Sequence, residues 1–337
     1  MIAFVLRRLA SAAFTMLVAS FLVFVMVEAS PGNVARKTLG QFATDEQVQI
    51  LAERLQLSDP LPARYGRWLG VIMGLRSDPL QNPALGLNFT DPRGDRYFGN
   101  FGFSTMMKTP VADVIWTRLS HSATLAALAF LTFVPLAILL GTVAGLHAHR
   151  PLDRGLTTLS TVFASIPEFA SAVILMSIFV VWLGWLPGTS PLQVGGRWSI
   201  ASQYVLPVAV LTLYVTAYVS RFVRASMIEV MATPYIRTAT LKGLSRPAIV
   251  LRHAFRNAML TPFTVILLQI NWLISGVVVT EVVFAYPGIG RFLLEAALFG
   301  DIAVIEAATL IAVFVAVTTQ LLGDLGYMLL NPRIRLS

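Results

Sequence analysis

Three carboxylates, Glu168, Glu281 and Glu306, stand in or beside long apolar runs of a 337-residue chain. An ionisable side chain inside a bilayer is expensive, so each either serves a solute pathway or sits near a helix end, in reach of water or an arginine. Glu168 follows Pro167, where a freed backbone bends toward the helix-bundle interior, and it is the stronger pathway candidate. Glu281 is the second candidate, but a structural role, paired with Arg291, is the reading preferred for it. His147-x-His149 is an i, i+2 pair, whose side chains diverge on a helix, so a solvated loop is expected there and no metal site. Cysteine is absent, which excludes disulfides, thiolate metal sites and cysteine nucleophiles. No His-Glu-x-x-His or Gly-x-Ser-x-Gly motif is present. A phosphate-cradling P-loop needs a Gly-Lys step, and none of the lysines, Lys37, Lys108 and Lys242, follows a glycine. Nothing here converges on catalysis, and no cofactor is expected on this chain.

The elements that position these residues are membrane helices. The chain is 56% hydrophobic and 12% charged, against about 25% charged in soluble domains. Arg7-Arg8 precede an uncharged run from Leu9 to Val27, longer than the apolar core of a secretory signal. Despite the cleavage-like Val27-Glu28-Ala29, residues 1–27 read as a first membrane helix. Five more apolar segments follow at Ala123–Leu146, Leu156–Leu186, Tyr204–Ser220, Phe263–Phe284 and Ile302–Leu330. The second and last exceed a minimal span and are expected to tilt. Six spans result, in an all-α polytopic fold; no strand alternation persists at membrane length.

Residues 28–118 are polar and proline-punctuated and read as an extramembrane domain, with a short helix at Thr44–Leu57 whose capping box is Thr44 and Gln47. Residues 76–97 read as a long irregular loop. The 28–118 domain carries ten cations against nine acids, while the alternate loops and termini carry thirteen against two. The positive-inside rule then places both termini and the 221–261 loop in the cytoplasm and the 28–118 domain outside. The net charge of +8 marks topology, not nucleic-acid binding. Trp182, Trp185 and Trp198 fit an aromatic belt at the outer interface.

Within the 221–261 loop, Thr233-Pro234 has the form of a helix start, a capping hydroxyl before a proline at the first position. Tyr235–Lys242 forms two turns, and Gly243 suits the left-handed residue that closes a helix. Ser245 caps a second helix with Pro247 in its tolerant first turn. A helix, a glycine turn and a second helix therefore lie at the membrane surface.

Tyr235-Ile-Arg-Thr-Ala-Thr-Leu-Lys-Gly243-Leu, followed by Leu251-Arg-His-Ala-Phe-Arg-Asn257-Ala, resembles the EAA loop of ABC-importer permeases, in the form found in B-type subunits of dipeptide and oligopeptide transporters. Arg237, Thr238 and Ala239 fall on the Glu-Ala-Ala positions and Gly243 on the family glycine; the first two depart from the general motif. The proline expected after the second helix is displaced by one, to Pro262. Further blocks match in order: Arg7-Arg8-Leu9 through Pro31-Gly32-Asn33, Leu57 through Leu69, Gly99 through Ser104, Pro110 through Ile115, Ser165-Ile-Pro167-Glu-Phe169, Glu281 through Arg291, and Asp324 through Arg335. Residues 76–97 form an insertion relative to that pattern, and Glu306 stands where the family often has glutamine.

The resemblance implies a type I ABC importer permease, 1–27 being the first helix, 28–118 the extracytoplasmic domain and 119–337 a five-helix core. Tyr235, Arg237, Thr238, Ala239, Lys242, Gly243 and Leu244 would form the coupling helix that docks on a separate ATPase. The implied partners are a homologous second permease, two ATPase subunits that bind ATP and Mg, and a periplasmic or lipid-anchored solute-binding protein, in a bacterial inner membrane. The expected cargo is peptides or similar small solutes. An ion-driven secondary transporter is the alternative; it predicts inverted repeats and several midplane carboxylates, neither of which is evident in the sequence.

Overall fold

Apolar length becomes helix length along most of the chain. The computed structural model describes residues 2–28, 34–39, 43–54, 56–79, 91–94, 96–193 and 196–330. Pro31-Gly32-Asn33, most of the 76–97 segment read as an insertion and the closing Asn331–Arg335 fall outside those residues. Contacts divide the chain into two compact units, Met1–His121 with Pro287–Thr318, and Ser122–Tyr286 with Thr319–Ser337.

The first unit opens with Ile2–Glu28 (α1), then Val34–Leu39 (α2), Asp45–Arg54 (α3) and Leu61–Ile72 (α4). The capping box at α3 is formed as expected: the Thr44 N–H donates to Gln47 Oε1 at 3.0 Å and the Gln47 N–H to Thr44 Oγ1 at 3.3 Å. A two-residue ladder joins Phe103–Ser104 (β1) to Thr109–Pro110 (β2), antiparallel. Val111–Leu146 (α5) follows directly. Ile289–Phe299 (α13), which the sequence did not announce, lies between Gly288 and a left-handed Gly300. Its 11 residues are shorter than a span, and Pro287-Gly288 reads locally as a turn. Ile302–Leu330 (α14) closes the described chain. Val111, Ile115, Phe292, Ala296, Val304 and Ala308 form this unit's buried core.

In the second unit the expected single span Leu156–Leu186 is two elements, Pro151–Ser165 (α6) and Glu168–Met176 (α7), bent by 104°. Pro167 is the cause: its ring pushes Ile166 out of the helical region, to φ −84°, ψ 124°. A π-helical turn, Ser177–Trp182, continues α7. The expected Tyr204–Ser220 span is longer, Ile200–Met231 (α8), so Arg221, Arg224 and Glu229 are helical, not loop. No helix breaker occurs between Ser220 and Pro234, and arginine and glutamate are good helix formers. Pro234–Leu241 (α9) follows, then Arg246–Ala248 (α10), a π turn Ile249–Ala254, Phe255–Ala258 (α11) and Leu260–Val283 (α12).

Among the described residues, four helices are long and apolar enough to cross a membrane, and the bent α6–α7 pair is a fifth candidate. At 24 residues, α12 has spanning length as well.

Candidate functional site

Local sequence shapes α9 before packing does. Ile236 and Ala239, three apart, turn inward and join the core with Ile249, Val250, Ala254 and Ala258. Tyr235, Arg237, Thr238, Lys242, Gly243 and Leu244 are exposed, as is Leu241 at 79%. Of the residues expected to couple, Ala239 alone is buried, so it seats the helix while the others form its free face.

The end of α9 is a Schellman closure. The Gly243 N–H donates to the Thr240 carbonyl at 3.0 Å, the Leu244 N–H reaches the Ala239 carbonyl at 3.4 Å, and Gly243 has φ +78°. The start differs from expectation. The Thr233 hydroxyl makes no cap bond; it donates back to the Val230 carbonyl at 2.6 Å, tying α9 to the end of α8. Ser245 likewise makes no side-chain cap. Asn257 Nδ2 donates to the Tyr235 hydroxyl at 3.0 Å, linking α9 to α11.

The elements behind α9 are tightly built. Gly141 and Gly145 of α5 face α8 with no room for a Cβ: one on Gly141 would lie 2.5 Å from the Ser220 carbonyl oxygen. Spacing of small residues by four is a known device for close helix approach in membranes. Asp153, 1% exposed, accepts from Arg224 at 2.5 and 2.7 Å and from the His149 N–H at 2.8 Å, joining the start of α6 to α8. Arg246 donates to the Leu146 carbonyl at 3.4 Å, satisfying an end carbonyl of α5. None of these pairings was foreseen; the Gly-x-x-x-Gly spacing is the one sequence signal that could have marked the α5 face.

The two pathway candidates have different surroundings. Glu281 is fully buried and accepts from the Ser122 hydroxyl. Arg291, its suggested partner, donates to Glu295 one turn on, at 2.7 Å. Glu168 is half-buried and accepts from the Thr280 hydroxyl at 2.7 Å. Gly276 lies under it: a Cβ there would come 3.1 Å from Glu168 Oε2 and 3.4 Å from the Trp272 ring. Trp272 stacks on Tyr214 at 4.9 Å, Tyr214 on Tyr218 at 6.2 Å, and Tyr218 meets Phe222 at 5.1 Å. A carboxylate thus heads a half-buried aromatic strip on α8 and α12, with residues 214, 218 and 222 on one helix face. Among the described residues no cluster of three or more His, Cys, Asp or Glu could hold a metal.

The 76–97 segment ends in a polar knot outside the membrane helices' apolar stretches. Arg93 donates to both Asp91 and Asp113, at 2.9 and 2.8 Å, and stacks 4.6 Å from the Tyr97 ring centre. The Tyr97 hydroxyl donates to Asp91 at 2.7 Å. Burial raises the Asp91 carboxyl, but hydrogen bonds from Arg93 and Tyr97 outweigh it and hold the group below its ordinary value. Burial and that same carboxylate push the Tyr97 phenol up.

The chain is similar to known transport proteins along nearly its whole length. A family model described as a binding-protein-dependent transport system inner membrane component matches residues 137–336, and that family's N-terminal model matches residues 1–126. A putative peptide transport system permease of Brucella abortus (strain 2308) is 32% identical over 99% of both chains. A probable peptide ABC transporter permease of Sinorhizobium fredii is 32% identical over 98% of this chain and 99% of its own. The glutathione transport system permease of Escherichia coli (strain K12) is 31% identical over 99% of both. A methionine ABC transporter structure in an inward-facing conformation aligns with TM-score 0.49 and 17% identity, over 66% of this chain and 96% of that one.

Proposed function

The chain belongs to the family of binding-protein-dependent transport system inner membrane components, as a multi-pass inner-membrane permease subunit of a peptide-type ABC importer, and on that premise we propose that it supplies half of a six-span, type I translocation pathway worked through α9 by separate ATPases. Membership sets aside the ion-driven secondary transporter. The observation that carries the coupling reading is α9 itself. Two buried residues and a glycine closure hold a short helix in place, with a face that is exposed among the described residues.

ATP and Mg belong to the partner subunits, because no Gly-Lys step exists here to cradle phosphate. The assembly consists of this chain, a homologous permease, two ATPases and a solute-binding protein that delivers cargo. Both termini and α9 face the cytoplasm, a reading supported by the charge asymmetry. Peptides are the proposed cargo, in keeping with the names of the relatives. Glu168 and the Trp272–Tyr214–Tyr218–Phe222 strip form the pathway wall: a carboxylate suits an amino terminus, and aromatic faces suit varied side chains. Glu281, fully buried on Ser122, positions α12 against α5.

Because the chain lacks cysteine, Leu241→Cys provides a unique handle on α9. A benzophenone maleimide attached there is expected to cross-link to an ATPase subunit in the assembled complex, while the same reagent at exposed Val181 does not. A complex that hydrolyses ATP yet yields no adduct from residue 241 overturns the coupling reading.

A further inference from the structure

The first unit holds a cavity of about 340 Å³ between the end of α1, α4 and the start of α14. Its wall includes Phe24 and Trp68, whose rings lie 5.7 Å apart, and Tyr65 packs behind both, at 5.7 and 5.9 Å. Four carboxylates and three guanidiniums also line it. Their charges do not balance within the cavity. Arg67 is drawn off to Asp59, at 2.5 Å, and Arg64 pairs with Glu28. Asp301 is engaged by the Ser104 hydroxyl at 2.6 Å and the Met106 N–H at 3.0 Å.

Glu306 is the unusual member. It is 7% exposed, lines the cavity and has a hydrogen bond from the neutral indole of Trp68. Arg64, close enough to act on it electrostatically, is already bound to Glu28. A carboxylate so placed near a membrane core is costly unless something cationic meets it. Aromatic faces beside a carboxylate, next to a space of small-molecule size, suit an ammonium group carried on an apolar body.

We propose that this cavity is a binding site for a primary ammonium on an apolar body, with Glu306 as counter-ion, Trp68 and Phe24 as the aromatic wall, and Arg64–Glu28 fixing its polar end. The ammonium could be the amino terminus of a short apolar peptide or a free amine. This site lies in a different compact unit from the Glu168 strip and does not depend on the coupling role of α9.

The test uses the permease complex in nanodiscs, with radiolabelled leucyl-leucine and radiolabelled phenylethylamine as probes. Saturable binding of at least one probe is expected, with Glu306→Gln weakening it at least tenfold and N-acetyl-leucyl-leucine competing at least tenfold less well than leucyl-leucine. Binding of both probes assigns the site to amines in general; binding of the peptide alone assigns it to peptide amino termini. Ile302→Trp, which fills the cavity and replaces none of its charged residues, is expected to abolish binding and covers the case in which Glu306→Gln fails to fold. Saturation by neither probe in a folded complex overturns the proposal, as does equal competition by the acetylated peptide. Binding that survives both cavity variants but is lost in Glu168→Gln places the ammonium in the other unit and overturns it equally.

Discussion

Gly145 of α5 sits so close to Met227 of α8 that a Cβ on the glycine would lie 2.6 Å from the methionine Cβ. One turn earlier Gly141 meets the Ser220 carbonyl oxygen and Val223 in the same way. The two helices therefore touch almost backbone to backbone, where α8 approaches its junction with α9.

Leucine at either glycine should therefore force α5 off α8. Overpacking a tight core typically costs about 1–3 kcal/mol, and here a backbone carbonyl is among the obstacles, which cannot rotate away. Gly141→Leu and Gly145→Leu should each lower the melting temperature of the detergent-solubilised protein. Gly155→Leu, with no heavy atom within 4 Å of its Cβ position, should leave it unchanged. Equal melting of all three would refute the close crossing.

Gly243 isolates backbone strain from sterics. Its φ is +78°, and nothing lies within 4 Å of a Cβ placed on it. A non-glycine residue in this region costs on the order of 1 kcal/mol, a β-branched one more, and asparagine least. Coupling should fall in the order Gly, Asn, Ala, Val, read as ATPase stimulation by loaded binding protein. Gly243→Val should still insert and pair with its partner permease. Normal stimulated hydrolysis and uptake in that variant would make α9 a mere connector.

Orientation is open to direct labelling. Leu75→Cys and Ser245→Cys are both at exposed positions in an otherwise cysteine-free chain. An impermeant maleimide applied to cells with a permeabilised outer layer should modify residue 75 and spare 245. The reverse pattern would invert the topology.

The Asp91 knot predicts a pH dependence. A carboxylate held below its ordinary value of 3.8 contributes stability that is present above that value and lost as pH falls through its folded-state value. Pepsin should cut the segment around Arg93 and Tyr97 slowly at pH 5 and much faster near pH 2, beyond the enzyme's own change on an unfolded control. Asp91→Asn should be cut quickly already at pH 5. Identical rates for the variant and the parent at pH 5 would mean that the knot does not hold the segment.

Features set by a few neighbouring residues were legible in the sequence. Thr44 and Gln47 form their capping box, Gly243 is left-handed, and the backbone bends at Pro167 because a proline restrains the residue before it. Even so, the depth of the break, 104°, and the helical status of Arg221 and Arg224 were not foreseen. Charge counting marked 221–261 as loop, but the helix persists until a breaker stops it.

The sequence by itself determined the membrane class, the helix–glycine–helix loop and the lack of a Gly-Lys step, because composition, periodicity and local φ, ψ preferences are properties of short stretches. Only the tertiary structure decided that Asp153 meets Arg224, 71 residues away, that Thr280 meets Glu168, 112 residues away, and that Glu306 and the Glu28–Arg64 pair line one cavity. Those partnerships depend on which helix faces are brought together. In an apolar medium hydrophobicity discriminates poorly between faces. Close contact at small residues, as at Gly141 and Gly145, selects among them, and the buried charges find partners only once that choice is made.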